Sequence, residues 1–306
     1  MSSEEIKDLS ASVHRRLLDR ARADKRPFNE LLQYYAMERF LYRLSKSLYS
    51  RKFILKGALM LFAWDAPTSR PTADIDLLGS VENDVTVVVS VVREICLQDV
   101  EPDGLAFNAE SVTGEIIVEI AEYPGVRVRV GGNLGTALIN VQVDVGFGDQ
   151  VIPAPVSLTY PVLLKMPAPR LRGYSRESVI AEKLESMARF GVLNSRMKDF
   201  FDIWLLSRQY DFVGKTLGKA IQKTFTNRGA FASPELLGLL SSFSKDAGKT
   251  AQWHAFCRKN RLDCAPLDLI EVVESIASFV SPLLSAIEED RSFEGTWSAP
   301  GPWKRS

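Results

Sequence analysis

The chain has 306 residues, of which 46% are hydrophobic and 25% charged. That is enough to bury a substantial core in one large or two moderate domains. Lysine plus arginine and aspartate plus glutamate stand at 38 each, which excludes a global attraction for polyanions and leaves any nucleic-acid contact to a local patch.

From Ser3 to Ser50 the pattern is helical: Ile6, Leu9, Val13, Leu17 and Leu18 follow three-four spacing, and so do Leu31, Leu32, Tyr35, Met37, Phe40, Leu41 and Leu44. Arg26-Pro27-Phe28-Asn29 breaks them into two amphipathic helices, with Asn29 as the expected cap of the second. Phe53 to Leu55 reads as the first strand, Lys56-Gly57 as a turn into a short helix over Ala58 to Ala63, and Asp65 to Pro71 as a loop. Ala73 to Leu78 is a strand carrying Asp74 and Asp76. Asn83 or Asp84 caps an expected helix from Thr86 to Leu97; its valines suit a strand, but its length favours a buried helix.

After the polar break Gln98 to Gly104 the texture alternates: Ile116, Val118 and Ile120, then Val126, Val128 and Val130, then Ile139, Val141, Val143 and Val145, with Gly125 and Gly131-Gly132-Asn133 as turns. The reading is an antiparallel extension of the sheet, with Gln142, Asp144 and Gly146 on the face opposite the valines. Pro153 to Pro169 is a proline-rich connector. Helices are expected at Ser178 to Phe190, Ser195 to Arg208, Lys215 to Thr226, Pro234 to Ser241, Lys249 to Lys259 and Leu267 to Ile287, before a tail short of periodicity. The fold class is therefore α+β: a mixed sheet from about residue 50 to 160, two helices before it and a helical region after it, divided as residues 1–165 and 166–306.

The period-two spacing sends Asp74 and Asp76 to one face of their strand and Ile75 and Leu77 to the other. Carboxylates so close need a cation, a proton or water, and a hard divalent ion such as magnesium is the most productive answer, because it keeps positions open for phosphate. Asp144, on a strand of the same sheet, adds a third acid. Three carboxylates and a glycine turn opening a helix suit nucleotidyl transfer: the acids hold magnesium, while Gly57 and the helix amides cradle phosphate.

Lys56-Gly57-Ala58 followed by Arg70-x-Thr72-x-Asp74-x-Asp76 resembles the first motif of the AbiEii/AbiGii family of nucleotidyltransferase-like toxins, which includes the mycobacterial MenT toxins. Val179-Ile180-Ala181-Glu182-Lys183-Leu184 resembles the family's Glu-Lys helix, and Arg196-Met197-Lys198-Asp199-Phe200-Phe201-Asp202 its Arg-x-Lys-Asp-x-x-Asp motif. Many members of the wider superfamily have Gly-Ser where this chain has Gly57-Ala58, so no serine hydroxyl is available there and backbone amides must serve. The resemblance implies a nucleotidyltransferase-like core and magnesium-dependent transfer of a nucleoside monophosphate from a nucleoside triphosphate to RNA, at the 3' end of tRNA, blocking translation. It also implies a cognate antitoxin protein as partner. Asp74, Asp76 and Asp144 would be the metal ligands, and Asp144 would also help deprotonate the acceptor. Lys183 and Asp199 would complete the catalytic set, and Gly57, Ala58, Arg70, Thr72, Lys183, Arg196 and Asp202 would bind nucleotide.

On the residues alone, Lys183 is a cation suited to triphosphate, and Arg196, Asp199 and Asp202 share a helical face, which also describes a surface ion-pair network. Arg170, Arg172, Arg176, Arg189 and Arg196 as an RNA track, and Lys215, Lys219 and Lys223 as a basic stripe, are most simply solvated side chains. Trp297 and Trp303 are expected to anchor the tail, and Asp149 to sit in a turn. Cys96, Cys257 and Cys264 are scattered without CxxC spacing, which points to a reduced, cytoplasmic protein; with only His14 and His254 besides, zinc, Ser-His-Asp and Cys-His chemistry are disfavoured. The first twenty residues carry early acids and no apolar h-region, and no uninterrupted apolar run approaches about 18 residues, so neither a secretory signal nor a membrane span is expected. Two rival functions use the same features: an antibiotic-modifying type of small-molecule nucleotidyltransferase, and a nucleotide-binding or interaction module without turnover.

Overall fold

Two helices open the chain, α1 (Ser3–Ala23) and α2 (Phe28–Lys46). Val13, Leu17 and Ala21 recur every four residues and are buried, as are Leu31, Tyr35, Phe40 and Leu44 on α2. Asn29 is not the cap of α2. Pro27 stands at the N-cap position without a side-chain cap bond, because a proline loses nothing where the helix has no acceptor for its N–H, and it forces Arg26 out of the helical region. The computed structural model describes residues 3–64, 66, 71–117 and 124–304.

The sheet begins with β1 (Phe53–Lys56), which turns through Gly57 into α3 (Ala58–Ala63). Next come β2 (Asp74–Gly79) and α4 (Val85–Cys96). The valines of α4 do form a helix: the Asp84 carboxylate accepts the N–H groups of Thr86 and Val87 at 2.8 and 3.0 Å, and Val88, Val91, Val92 and Ile95 make the buried stripe. Three strands then run as a meander, β3 (Leu105–Ile117), β4 (Gly125–Leu134) and β5 (Ala137–Gly146). Their valines at 126, 128, 130, 141, 143 and 145 are buried, while Val118 and Ile120 lie outside the described residues.

Gly131-Gly132-Asn133 is strand, not turn. These residues pair with Asn140, Ile139 and Leu138 of β5, and the reversal falls at Gly135 and Thr136. The glycines are needed for close strand contact: a Cβ on Gly132 would lie 2.8 Å from the Ala106 carbonyl oxygen of β3. The proline-rich connector contains a strand, β6 (Val156–Thr159), and ends in β7 (Arg170–Gly173), neither of which the proline spacing suggests. The sheet has seven strands in the order β3-β4-β5-β2-β1-β7-β6, with β2/β5 and β1/β7 parallel and the other pairs antiparallel. It is a mixed sheet in an α+β chain, and β2 lies at its centre.

These elements form a first compact unit; a second holds Asp149–Pro155 and the chain from Tyr174 onward. The second is helical: α5 (Arg176–Phe190), α6 (Met197–Gln209), the short β8 (Phe212–Val213), α7 (Gly214–Asn227), α8 (Glu235–Ser244), α9 (Ala247–Asn260) and α10 (Leu269–Glu288). By length and composition α10 is apolar enough to cross a membrane. It packs instead against α6, α7 and α8, burying Val272, Ile276, Phe279, Val280 and Leu283. The tail closes on this unit through β9 (Thr296–Trp297) and β10 (Trp303–Lys304), which extend β8 into a three-stranded sheet. The Trp297 indole donates to the Ser207 carbonyl and the Trp303 indole to that of Phe279, at 2.6 and 2.7 Å. Both tryptophans therefore anchor the tail.

Candidate active site

β2 is an alternating strand whose two faces have opposite fates. Ile75 and Leu77 are buried, while Asp74 and Asp76 are half-buried on the other face. The parallel register with β5 sets Asp76 beside Asp144 and Asp74 beside Gln142. One carboxylate oxygen from each of Asp74, Asp76 and Asp144 lies within 4.8 Å of the others. Three hard oxygen donors converging at a half-exposed point fit a divalent cation, which relieves their mutual repulsion and leaves coordination positions for oxygens of a ligand.

Gly57 belongs to this arrangement for a reason of space. Its φ is +68°, and a Cβ built there would sit 1.9 Å from Oδ2 of Asp76. The glycine thus gives up its side-chain volume to a carboxylate of the acidic group, and Ala58 beside it is buried at the start of α3. The Thr72 hydroxyl donates to Oδ1 of Asp74, and its backbone N–H donates to the Tyr34 hydroxyl at 3.0 Å. Arg70 lies outside the described residues.

A residue the sequence reading passed over completes this face. Arg127 of β4 pairs directly with Asp144 of β5 and donates from Nε to Oδ1 at 2.8 Å and from Nη2 to Oδ2 at 2.6 Å. Those bonds hold the Arg127 pKa above its ordinary value. The signal was present in the alternation: arginines at 127 and 129 between valines at 126, 128 and 130 must share the polar face.

Lys183, Arg196, Asp199 and Asp202 come together in the second unit. The Lys183 ammonium lies 3.1 Å from Oδ1 of Asp199 and 2.6 Å from Oδ2 of Asp202. Arg196 Nε donates to Oδ2 of Asp199 at 2.7 Å. Both aspartates are fully buried and Lys183 nearly so, so this is an internal network and not a surface one. Asp149 is more than a turn residue: Arg228 binds it at 3.0 Å while reaching Glu185 at 2.9 Å and Glu182 at 3.4 Å. No short motif marks Arg228, since its partners are scattered in sequence.

Four of the five arginines of the supposed RNA track have local partners, and Arg170 is exposed on β7. Arg172 donates to the Arg51 carbonyl, Arg176 stacks 3.8 Å from the Tyr210 ring centroid, Arg189 pairs with Glu185 and Arg196 with Asp199. Lys215, Lys219 and Lys223 are exposed on one side of α7.

A mixed sheet with converging carboxylates at its centre is an architecture for metal-assisted transfer chemistry. Residues 39–271 match the family described as nucleotidyl transferase AbiEii toxin, of type IV toxin-antitoxin systems, and the chain belongs to that family. It is a nucleotidyltransferase of that class. Two solved structures resemble it. One is JHP933 from Helicobacter pylori, 15% identical with a TM-score of 0.45 over 86% of this chain and 94% of that one. The other is a candidate nucleotidyltransferase from H. pylori, 16% identical with a TM-score of 0.45 over 86% of this chain and 98% of that one. No curated protein matches the sequence.

Proposed function

We propose that the chain is a magnesium-dependent toxin that transfers a nucleoside monophosphate from a nucleoside triphosphate to a hydroxyl of RNA, at the 3' end of tRNA, and so blocks translation. The observation that carries this is the convergence of Asp74, Asp76 and Asp144 on one half-exposed point, in a chain of a nucleotidyl transferase family. In the reaction the acceptor oxygen bonds to the α-phosphorus, the bond from that phosphorus to the pyrophosphate oxygen breaks, and the acceptor proton leaves to a base. Magnesium, when bound, would polarise the acceptor hydroxyl and neutralise the triphosphate.

Asp74 and Asp76 would hold the cation, with Thr72 fixing the rotamer of Asp74. Asp144 would complete the ligand set and take the acceptor proton. Gly57, Ala58, Arg70 and Thr72 are proposed to lie along the nucleotide. For the second unit we propose that Lys183 and Arg196 contact phosphate and that Asp199 and Asp202 hold them in place. An antitoxin protein is the expected partner and the cytoplasm the expected compartment, which agrees with three free cysteines.

The test is incubation of the protein with total tRNA, magnesium and each of the four labelled nucleoside triphosphates, alongside Asp74→Ala. Label should enter tRNA from at least one nucleotide, and fall by at least roughly a thousandfold in the variant, whose melting temperature should match that of the unaltered chain. Label in a small product would point to an antibiotic-modifying enzyme. Nucleotide binding without pyrophosphate release would point to a module without turnover. An Asp74→Ala protein that transfers at full rate would refute the site.

A further inference from the structure

The three carboxylates differ in what already holds them. Asp74 receives a hydroxyl from Thr72. Asp144 receives a guanidinium on both oxygens, 2.8 Å to Oδ1 and 2.6 Å to Oδ2, and the Gln142 amide adds a third donor to Oδ2 at 3.3 Å. Strand register makes this a row: Arg127 stands across from Asp144 on β4 and β5, and Asp144 stands beside Asp76 on β5 and β2. The pair is partly sheltered, at 30% exposure for Arg127 and 14% for Asp144. A two-pronged guanidinium contact takes a lone pair from each carboxylate oxygen and sets a positive charge beside them. Asp144 therefore has no open chelating edge, and a cation that approaches its remaining lone pairs meets the guanidinium charge beside them.

We infer that Arg127 is a positioning residue that fixes Asp144 and competes with a divalent cation for it. This rests on reading Asp74, Asp76 and Asp144 as the metal site. Asp144 would join a bound cation as Arg127 yields, so Arg127 sets the cation concentration at which this carboxylate takes part. Removing the guanidinium frees Oδ1, leaves Oδ2 with only the long Gln142 contact, and removes a like charge from the cation's surroundings. Arg129 gives the internal control: it lies on the same strand and face, but its partner is Glu115 at 2.9 Å, both side chains about half exposed.

The experiment is a titration of the full chain with Mn2+, followed by calorimetry and by the electron paramagnetic resonance of free Mn2+. Arg127→Gln should bind Mn2+ roughly tenfold tighter than the unaltered chain, because it removes both a like charge and the competitor for Asp144, in surroundings that water largely screens. Arg129→Gln should stay within about twofold, and adding Asp144→Asn to Arg127→Gln should abolish the gain. If Arg127→Gln folds poorly by circular dichroism, Arg127→Lys should give an intermediate tightening, since lysine keeps the charge but lacks the fork. Affinity unchanged or weakened in Arg127→Gln, or an equal gain in Arg129→Gln, would overturn the competition. The two readings separate cleanly: an unaltered chain that binds no Mn2+, or binds as well after Asp74→Asn, removes the metal site and this inference with it. A chain whose Mn2+ binding depends on Asp74 but not on Arg127 removes the inference alone.

Discussion

The two charged clusters, one in each unit, differ in what their acids face. In the first unit one carboxylate oxygen from each of Asp74, Asp76 and Asp144 turns toward the others, within 4.8 Å and partly exposed, with a cation, Arg127, only at the outer edge of Asp144 among the pairs described. In the second, Asp199 and Asp202 are fully buried and turn onto Lys183, with Arg196 also on Asp199. A carboxylate removed from water must find its cation inside the fold. One left at the surface can stand near its own kind, because water or an incoming ion meets the charge. Convergence with exposure is what an incoming cation could neutralise, while balance with burial is a clamp that fixes its own side chains in place. Spacing alone does not separate them, since Asp-x-Asp on a strand and Asp-x-x-Asp on a helix both put two acids on one face.

The largest effect expected from this contrast is on stability. Lys183→Met should remove the cation from between two fully buried carboxylates and destabilise the protein by about 3–5 kcal/mol, read as a lowered denaturation midpoint in urea. Asp74→Ala removes one of three mutually repelling acids and should leave the midpoint unchanged or raise it slightly. Should Lys183→Met unfold at the same urea concentration as the unaltered chain, the clamp reading of the second cluster would be wrong.

A smaller effect is expected at the glycine beside the acids. Gly57→Ala forces a Cβ into the volume of the Asp76 carboxylate at a φ of +68°, which should cost on the order of 1–3 kcal/mol and push Asp76 out of the converging group. Urea midpoints report the first and Mn2+ titration the second. A variant with normal stability and normal Mn2+ affinity would show that the close approach of Gly57 and Asp76 is incidental.

Much of this was legible in the sequence, and the reasons are local. The helices of the second unit and the meander strands announce themselves by period, and Asp74, Asp76 and Asp144 by placing acids on the face opposite buried residues of β2 and β5. What escaped depended on partners distant in sequence. Gly131 and Gly132 look like a turn until β3 is seen to press on them. β6 lies in a proline-rich stretch and β7 just after it, and their strand character comes from pairing with each other and, for β7, with β1. Arg127 and Arg228 carry no motif, and each is fixed by acids brought to it by register or by helix packing. Lys183 and its two aspartates were legible as a group, but not their burial, which the aromatic and aliphatic residues around α6 impose.

The comparison also predicts a difference in pH response, because the first unit has a balanced buried pair of its own. Glu38 and Arg39 on α2 are 1% exposed and 2.7 Å apart. Glu38 accepts the Leu163 N–H at 2.6 Å, and Arg39 donates to the Pro167 carbonyl at 2.9 Å, so the pair pins the connector before β7 to α2. Burial pushes the Glu38 carboxyl up from 4.5 to about 7, against the pull of Arg39 and the Leu163 N–H. A folded-state value above the unfolded one means that the folded chain holds this proton more tightly. The contribution is complete below about pH 4.5 and is lost as the pH rises through about 7. Stability should therefore fall by on the order of 1–3 kcal/mol between about pH 5 and about pH 8, and Glu38→Gln, which cannot ionise, should flatten that slope. Urea midpoints across this range decide it. An identical slope in Glu38→Gln would mean that Glu38 stays ionised throughout and that the Arg39 contact outweighs burial there.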